Sequence, residues 1–209
     1  METQTTDLRE GKSVIDRYAE GLRYFMGQGS LHNTLAQLTG DLKERGIDYM
    51  VIGAVALLAH GYPRFTEGID LVLTPDGLAA FHRDLIGLGY VPAFPGAKKR
   101  LRSTTEGIII EVMTTGEYPG DGKPKPVSIP EPSTASTEID GIQFVTFEKL
   151  IELKLASGMT APHRLKDLAD VQELIKIRRL GPEFAEQLDP YVRGKFLELY
   201  ETVRQSQQD

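Results

Sequence analysis

The chain of 209 residues contains no cysteine. This excludes disulfides, thiolate metal sites and a cysteine nucleophile. It has no apolar run near the ~20 residues that a membrane-spanning helix requires. The opening segment METQTTDLRE lacks the apolar stretch of a secretory signal, so the cytoplasm is the expected location. Excess positive charge is also missing: the formal net charge is −6, which disfavours broad nucleic-acid binding. The densest basic cluster, Lys98-Lys99-Arg100-Leu101-Arg102, reads first as a solvated edge strand or loop.

The composition is that of an ordinary folded domain, 40% hydrophobic and 26% charged. Val14, Ile15, Tyr18, Leu22 and Phe25 have helical spacing within Ser13–Met26. Ser30 is the expected N-cap of a second helix, with Leu31, Leu35, Leu38 and Leu42 as its buried stripe and Gly46 as its stop. Asp48–Gly53 and Ile69–Leu73 read as strands separated by a short alanine-rich helix. Thr74-Pro75 predicts a capped helix start, and that helix is expected to run to about Leu88. Strand-like pieces follow at Tyr90–Phe94, Lys99–Ser103 and Gly107–Thr114. Gly116–Pro132 is a long Gly/Pro-rich loop, and Asp140-Gly141 signals a hairpin within Ser136–Val145.

From Phe147 onward the pattern is helical, broken at Pro162, with a last helix over Tyr191–Arg204. The expected fold class is α+β, a mixed α/β sheet flanked by helices with helical segments at both ends. The expected division is a helical segment over 1–46, a core over 47–146 and a helical segment over 147–209 packed on that core.

The chemistry concentrates in Met50–Leu73, MVIGAVALLAHGYPRFTEGIDLVL. A strand ends at Gly53-Ala54, a short helix leads to His60-Gly61, and Arg64-Phe65-Thr66 precedes a strand carrying Asp70. Residues at alternate strand positions share a face, so positions 68 and 70 point to one site. A carboxylate inside an apolar strand is costly without a partner, which marks Asp70, and likewise Glu111 in Ile109-Ile110-Glu111-Val112. Gly53 would let the backbone approach a phosphate closely. His60 alone reads as a structural hydrogen-bonding residue. Arg64 could bind phosphate or pair with Asp70. Lys154 lies on an otherwise apolar helix, where the residues alone read as a solvated face. Asp170 is expected to ion-pair within the helical tail, and Asp167 could bridge to Lys154 or Arg164.

These motifs resemble the nucleotidyltransferase superfamily, particularly its bacterial branch of minimal nucleotidyltransferases and AbiEii-type toxins. There the glycine motif is followed by Arg-x-Thr-x-Asp-hydrophobic-Asp and a later carboxylate. The resemblance spans roughly 47–175. It implies Asp70 and Glu111 as catalytic and Mg²⁺-binding residues. It also implies a nucleotide contacted by Gly53, Ala54, Arg64, Thr66 and Lys154. The implied substrate is a nucleoside triphosphate, and the implied reaction is nucleotidyl transfer to a hydroxyl on a protein, RNA or small molecule. The family's first metal Asp is replaced here by Gly68, and the neighbouring Glu67 should face away. The alternative expectation is therefore a catalytically degenerate homologue, a binding or regulatory module of toxin–antitoxin or defence type.

Overall fold

The computed structural model describes residues 19–23 and 26–206. The helix expected over Ser13–Met26 lies largely outside the described residues.

Helix α1 (Ser30–Glu44) buries Leu31, Leu35, Leu38 and Leu42, as the spacing predicts. It ends at Gly46, whose φ of 62° allows the Ile47 N–H to reach back to the Leu42 carbonyl. Its start differs from expectation. Gly29 is the N-cap, Ser30 is already helical, and the Ser30 N–H donates to Glu20 Oε1 at 2.8 Å. A carboxylate from the preceding segment thus satisfies the amide that a capping side chain would have taken.

Strand β1 (Tyr49–Ile52) leads to α2 (Gly53–Ala59), then β2 (Gly68–Leu73) and α3 (Pro75–Asp84). Thr74 caps α3, its Oγ1 accepting from the Gly77 N–H at 2.8 Å. Helix α3 stops at Asp84 rather than near Leu88. Gly87 and Gly89 both take positive φ, and Gly87 N–H donates to the Tyr90 carbonyl, so the helix ends about four residues earlier than composition suggests.

Strands β3 (Tyr90–Pro92), β4 (Arg100–Ser103) and β5 (Ile109–Thr114) follow, then a short α4 (Pro132–Ala135) and the hairpin β6 (Ser136–Ile139) and β7 (Ile142–Val145). Asp140 and Gly141, at φ 50° and 78°, form its left-handed turn. The seven strands make one mixed sheet in the order β3-β4-β5-β2-β1-β7-β6. Within it, β2 pairs parallel with β5 and β1 parallel with β7, and the remaining pairings are antiparallel.

The C-terminal part is α5 (Phe147–Thr160), a 3-10 turn (Pro162–Arg164), α6 (Leu165–Arg178), a second 3-10 segment (Pro182–Gln187) and α7 (Pro190–Ser206). One hydrophobic cluster runs from Leu31 in α1 through the sheet to Val203 in α7. Full burial of each Leu, Ile or Phe in it contributes ~1.5–3 kcal/mol. In α5 every residue from Leu150 to Gly158 is buried, with α6, α7 and the 3-10 turn packed against the helix. Gly158 permits the closest approach: a Cβ there would stand 2.5 Å from Leu168 Cγ on α6.

Candidate active site

The site is built on one row of the sheet. Asp70 of β2 stands opposite Glu111 of β5, and Glu111 stands opposite Arg100 of β4. Residues opposite one another share a face, so all three project to the same side. Gly68 lies on this face too, opposite Ile109. A Cβ at position 68 would come 3.1 Å from the Ile109 carbonyl oxygen.

Gly53 closes the site from the end of β1. Its φ of 68° belongs to the left-handed region, and a Cβ there would fall 1.9 Å from Asp70 Oδ2. Both observations restrict the position to glycine. Asp70 is consequently packed against bare backbone. Burial pushes its carboxyl pKa from 3.8 to about 6; Glu111 repulsion adds to this, and Lys154, Arg164 and Arg64 oppose it.

Glu111 is not buried as its apolar run predicts. It is half exposed and pairs with Arg100 at 3.4 Å. It lines two cavities rather than the packed interior.

The facing wall comes from α5, the 3-10 turn and α6. Lys154 is only 6% exposed, which rules out the solvated-face reading. Its Nζ donates to Asp167 Oδ1 at 3.1 Å and to Asp170 Oδ2 at 2.7 Å. Ser157 Oγ donates to Asp167 Oδ2 at 2.7 Å, and Arg164 Nε donates to the same oxygen at 3.0 Å. Burial works to raise the Asp167 pKa, but Lys154, Ser157 and Arg164 together hold it below its ordinary value. Arg64 pairs with Asp170, not with Asp70. It thereby links the loop before β2 to the helical wall, and α6 takes the charge that sequence alone allowed to Asp70. Thr66 Oγ1 accepts from the Gly68 N–H at 3.3 Å and shapes the entry into β2.

Between these walls lies a cleft of about 770 Å³, lined by Gly53, Ala54, Arg64, Thr66, Asp70, Glu111 and Lys154 among others. This is the size range of small-molecule and cofactor sites. The expected site residues thus meet in one place. His60 does not join them. It is buried beside Phe147, with Nε2 2.8 Å from the Val145 carbonyl, and burial lowers its pKa.

Sequence reasoning missed the rim. Glu117, Tyr118 and Gly120 line the cleft from the long loop after β5. A Cβ at Gly120 would lie 2.8 Å from the Ser157 carbonyl, so this loop is pressed against the end of α5. Lys125 secures it, with Nζ 2.7 Å from both the Pro119 carbonyl and Asp121 Oδ1 and over the Tyr118 ring. The Gly/Pro content marked the loop, but nothing in the pattern marked Lys125 or Ser157 as its partners.

Among the described residues no group of three or more His, Asp or Glu side chains is placed to hold a metal ion. Asp70 and Glu111 are two hard oxygen donors side by side. That donor set fits one Mg²⁺ completed by water and phosphate oxygens, the usual way this ion is held. It does not supply the additional carboxylate that a two-metal arrangement uses.

No family model matches the chain, and no curated protein matches it in sequence. Solved structures do. The crystal structure of ANT(2″)-Ia in complex with adenylyl-2″-tobramycin superposes with a TM-score of 0.53 at 15% identity, over 80% of this chain and 97% of that one. The solution structure of the antibiotic-resistance factor ANT(2″)-Ia gives 0.52 at 14% identity, over 84% and 96%. A nucleotidyltransferase-like protein from Paracoccidioides brasiliensis overlaps more loosely, at TM-score 0.44 and 16% identity, over 69% and 74%. The chain has the nucleotidyltransferase fold. The sequence resemblance and the three-dimensional likeness therefore meet at the level of fold.

Proposed function

We propose that the chain is a nucleotidyltransferase that binds a nucleoside triphosphate with Mg²⁺ in the 770 Å³ cleft and transfers a nucleotidyl group to a hydroxyl acceptor. The observation that carries this reading is the in-register pair Asp70 and Glu111, facing Lys154 and Arg164 across the cleft. The adenylylated tobramycin bound to ANT(2″)-Ia supports transfer to a hydroxyl of a small molecule as one form of the reaction.

Asp70 and Glu111 would hold the ion, which when bound neutralises charge on the triphosphate. Gly53 and Ala54 leave the floor free of side chains, so phosphates can come close to Asp70. Lys154 and Arg164, positioned by Asp167 and Asp170, contribute positive charge from the opposite wall.

Calorimetry with ATP, CTP, GTP and UTP in Mg²⁺ tests the proposal. At least one should bind, and Asp70→Ala should abolish that binding; no binding to any of the four overturns it.

Gly68 favours a second reading, a binding or regulatory module that keeps the fold without the chemistry, in a toxin–antitoxin or defence setting. Gly68→Asp separates the two. If the wild type lacks transfer and the substitution restores it, the second reading stands. If the wild type is active and the added carboxylate changes nothing, it fails. The new Cβ requires the Ile109 carbonyl to give by a few tenths of an ångström, so folding of this variant is checked first.

A further inference from the structure

A second cavity of about 350 Å³ opens beside the cleft, on the other side of Glu111. Glu111 and Met113 line both spaces, so the two adjoin at the carboxylate proposed to hold the metal. Three cations line the smaller cavity, Lys98, Lys99 and Arg100, against the single carboxylate of Glu111. Lys99 is already committed to Thr114 and Glu117. Lys98 is exposed, and Arg100 is 54% exposed on a lengthy pairing to Glu111. Phe94 stands at the mouth, 57% exposed, an unusual position for a large aromatic ring.

Position relative to the cleft makes this more than a basic patch. Asp70, Glu111 and Arg100 form one row across β2, β5 and β4 on a single face. Two strand spacings separate the ends of that row, roughly 10 Å. A ligand whose phosphate rests on Lys98 and Arg100 can therefore extend a hydroxyl past Glu111 towards Asp70. Its ring system would lie on Phe94. The chain's net charge of −6 and the single-nucleotide size of the cavity argue for a small anion rather than a long nucleic acid.

We infer that the acceptor is a nucleotide with a free ribose hydroxyl, its phosphate held by Lys98 and Arg100 and its base stacked on Phe94. This rests on the nucleotidyltransferase reading and specifies its acceptor. The acceptor hydroxyl oxygen attacks the α-phosphorus of the triphosphate. A phosphorus–oxygen bond to the acceptor forms, the bond to the β-phosphate oxygen breaks, and pyrophosphate leaves. The hydroxyl proton is released to water.

The test measures binding of AMP, of ribose 5-phosphate and of a short single-stranded oligoadenylate to the full chain. The cleft is first saturated with a non-hydrolysable triphosphate and Mg²⁺. The inference expects AMP to bind the wild type alongside the analogue. Lys98→Glu should weaken AMP at least tenfold, while Phe94→Ala should weaken AMP but leave ribose 5-phosphate unchanged. Absence of AMP binding with the analogue in place overturns the inference and leaves the nucleotidyltransferase reading standing. Binding of AMP that neither substitution alters, or binding of the oligoadenylate alone, overturns it as well. If the analogue itself does not bind, but AMP does and is lost in Lys98→Glu, the anion subsite is supported and the transfer reading fails.

Discussion

Gly53 and Asp70 are in such close apposition that a single added carbon at position 53 would stand 1.9 Å from the Asp70 carboxylate oxygen. The backbone there also has a φ of 68°. Gly53→Ala therefore suffers twice, from a left-handed conformation and from displacement of the carboxylate. A loss of about 1–3 kcal/mol in urea unfolding is expected, together with loss of triphosphate binding. Gly61→Ala is the control: its φ is 95° with open space around it, so it should cost stability while leaving binding intact.

Asp70 should be a stability liability in the unliganded protein. Its pKa is raised from 3.8 to about 6 in the fold, so the folded state holds a proton more tightly than the unfolded chain. Stability then rises as pH falls from about 6 to 4, and at pH 7 the charged group costs the fold. The shift of about 2 units, at ~1.4 kcal/mol each, bounds that cost at about 3 kcal/mol. Asp70→Asn should raise the melting temperature at pH 7, and the advantage should vanish near pH 4. A variant less stable than wild type at pH 7 would contradict this.

Asp170 balances two cations, Arg64 and Lys154. Asp170→Ala leaves both facing a low-dielectric wall with one carboxylate removed. Breaking a buried pair from one side costs roughly 3–5 kcal/mol. Chemical denaturation should show a loss of that order, and the double variant Asp170→Ala with Lys154→Met should recover a large part of it.

Gly158→Ala sets two magnitudes against each other. Alanine gains up to ~1 kcal/mol in helix propensity, while a Cβ 2.5 Å from Leu168 Cγ costs ~1–3 kcal/mol in overpacking. Net destabilisation is expected in the wild-type background. With Leu168→Ala the clash disappears, so the same substitution should become neutral or stabilising, which a double-mutant cycle measures directly.

Local chemistry was legible wherever it acts through the chain's own neighbours. The Thr74 cap, the Gly46 stop, the Asp140-Gly141 turn and the strands around Asp70 all follow from short-range rules. The early end of α3 was not legible, because it depends on Gly87 reaching the Tyr90 carbonyl. Glycine spacing and alternation brought Gly53, Asp70 and Glu111 into view, since strand geometry aligns them. The partner of Arg64 stayed open for the opposite reason: Asp170 lies 106 positions away, and its nearness is created by how α6 folds back. Lys154 shows the same limit. Its helix reads as apolar with one lysine, and only the packing of α6 against α5 makes that lysine internal.

That burial bears on how the protein can breathe. Helix α5 carries the wall of the cleft, yet it cannot peel away without exposing the hydrophobic cluster. Opening at Lys154 is therefore tied to global unfolding rather than a local excursion, and its amide should exchange with solvent among the slowest in the molecule. Any motion that admits or releases a ligand is left to the rim, where the loop bearing Tyr118 and Lys125 rests against the end of that helix.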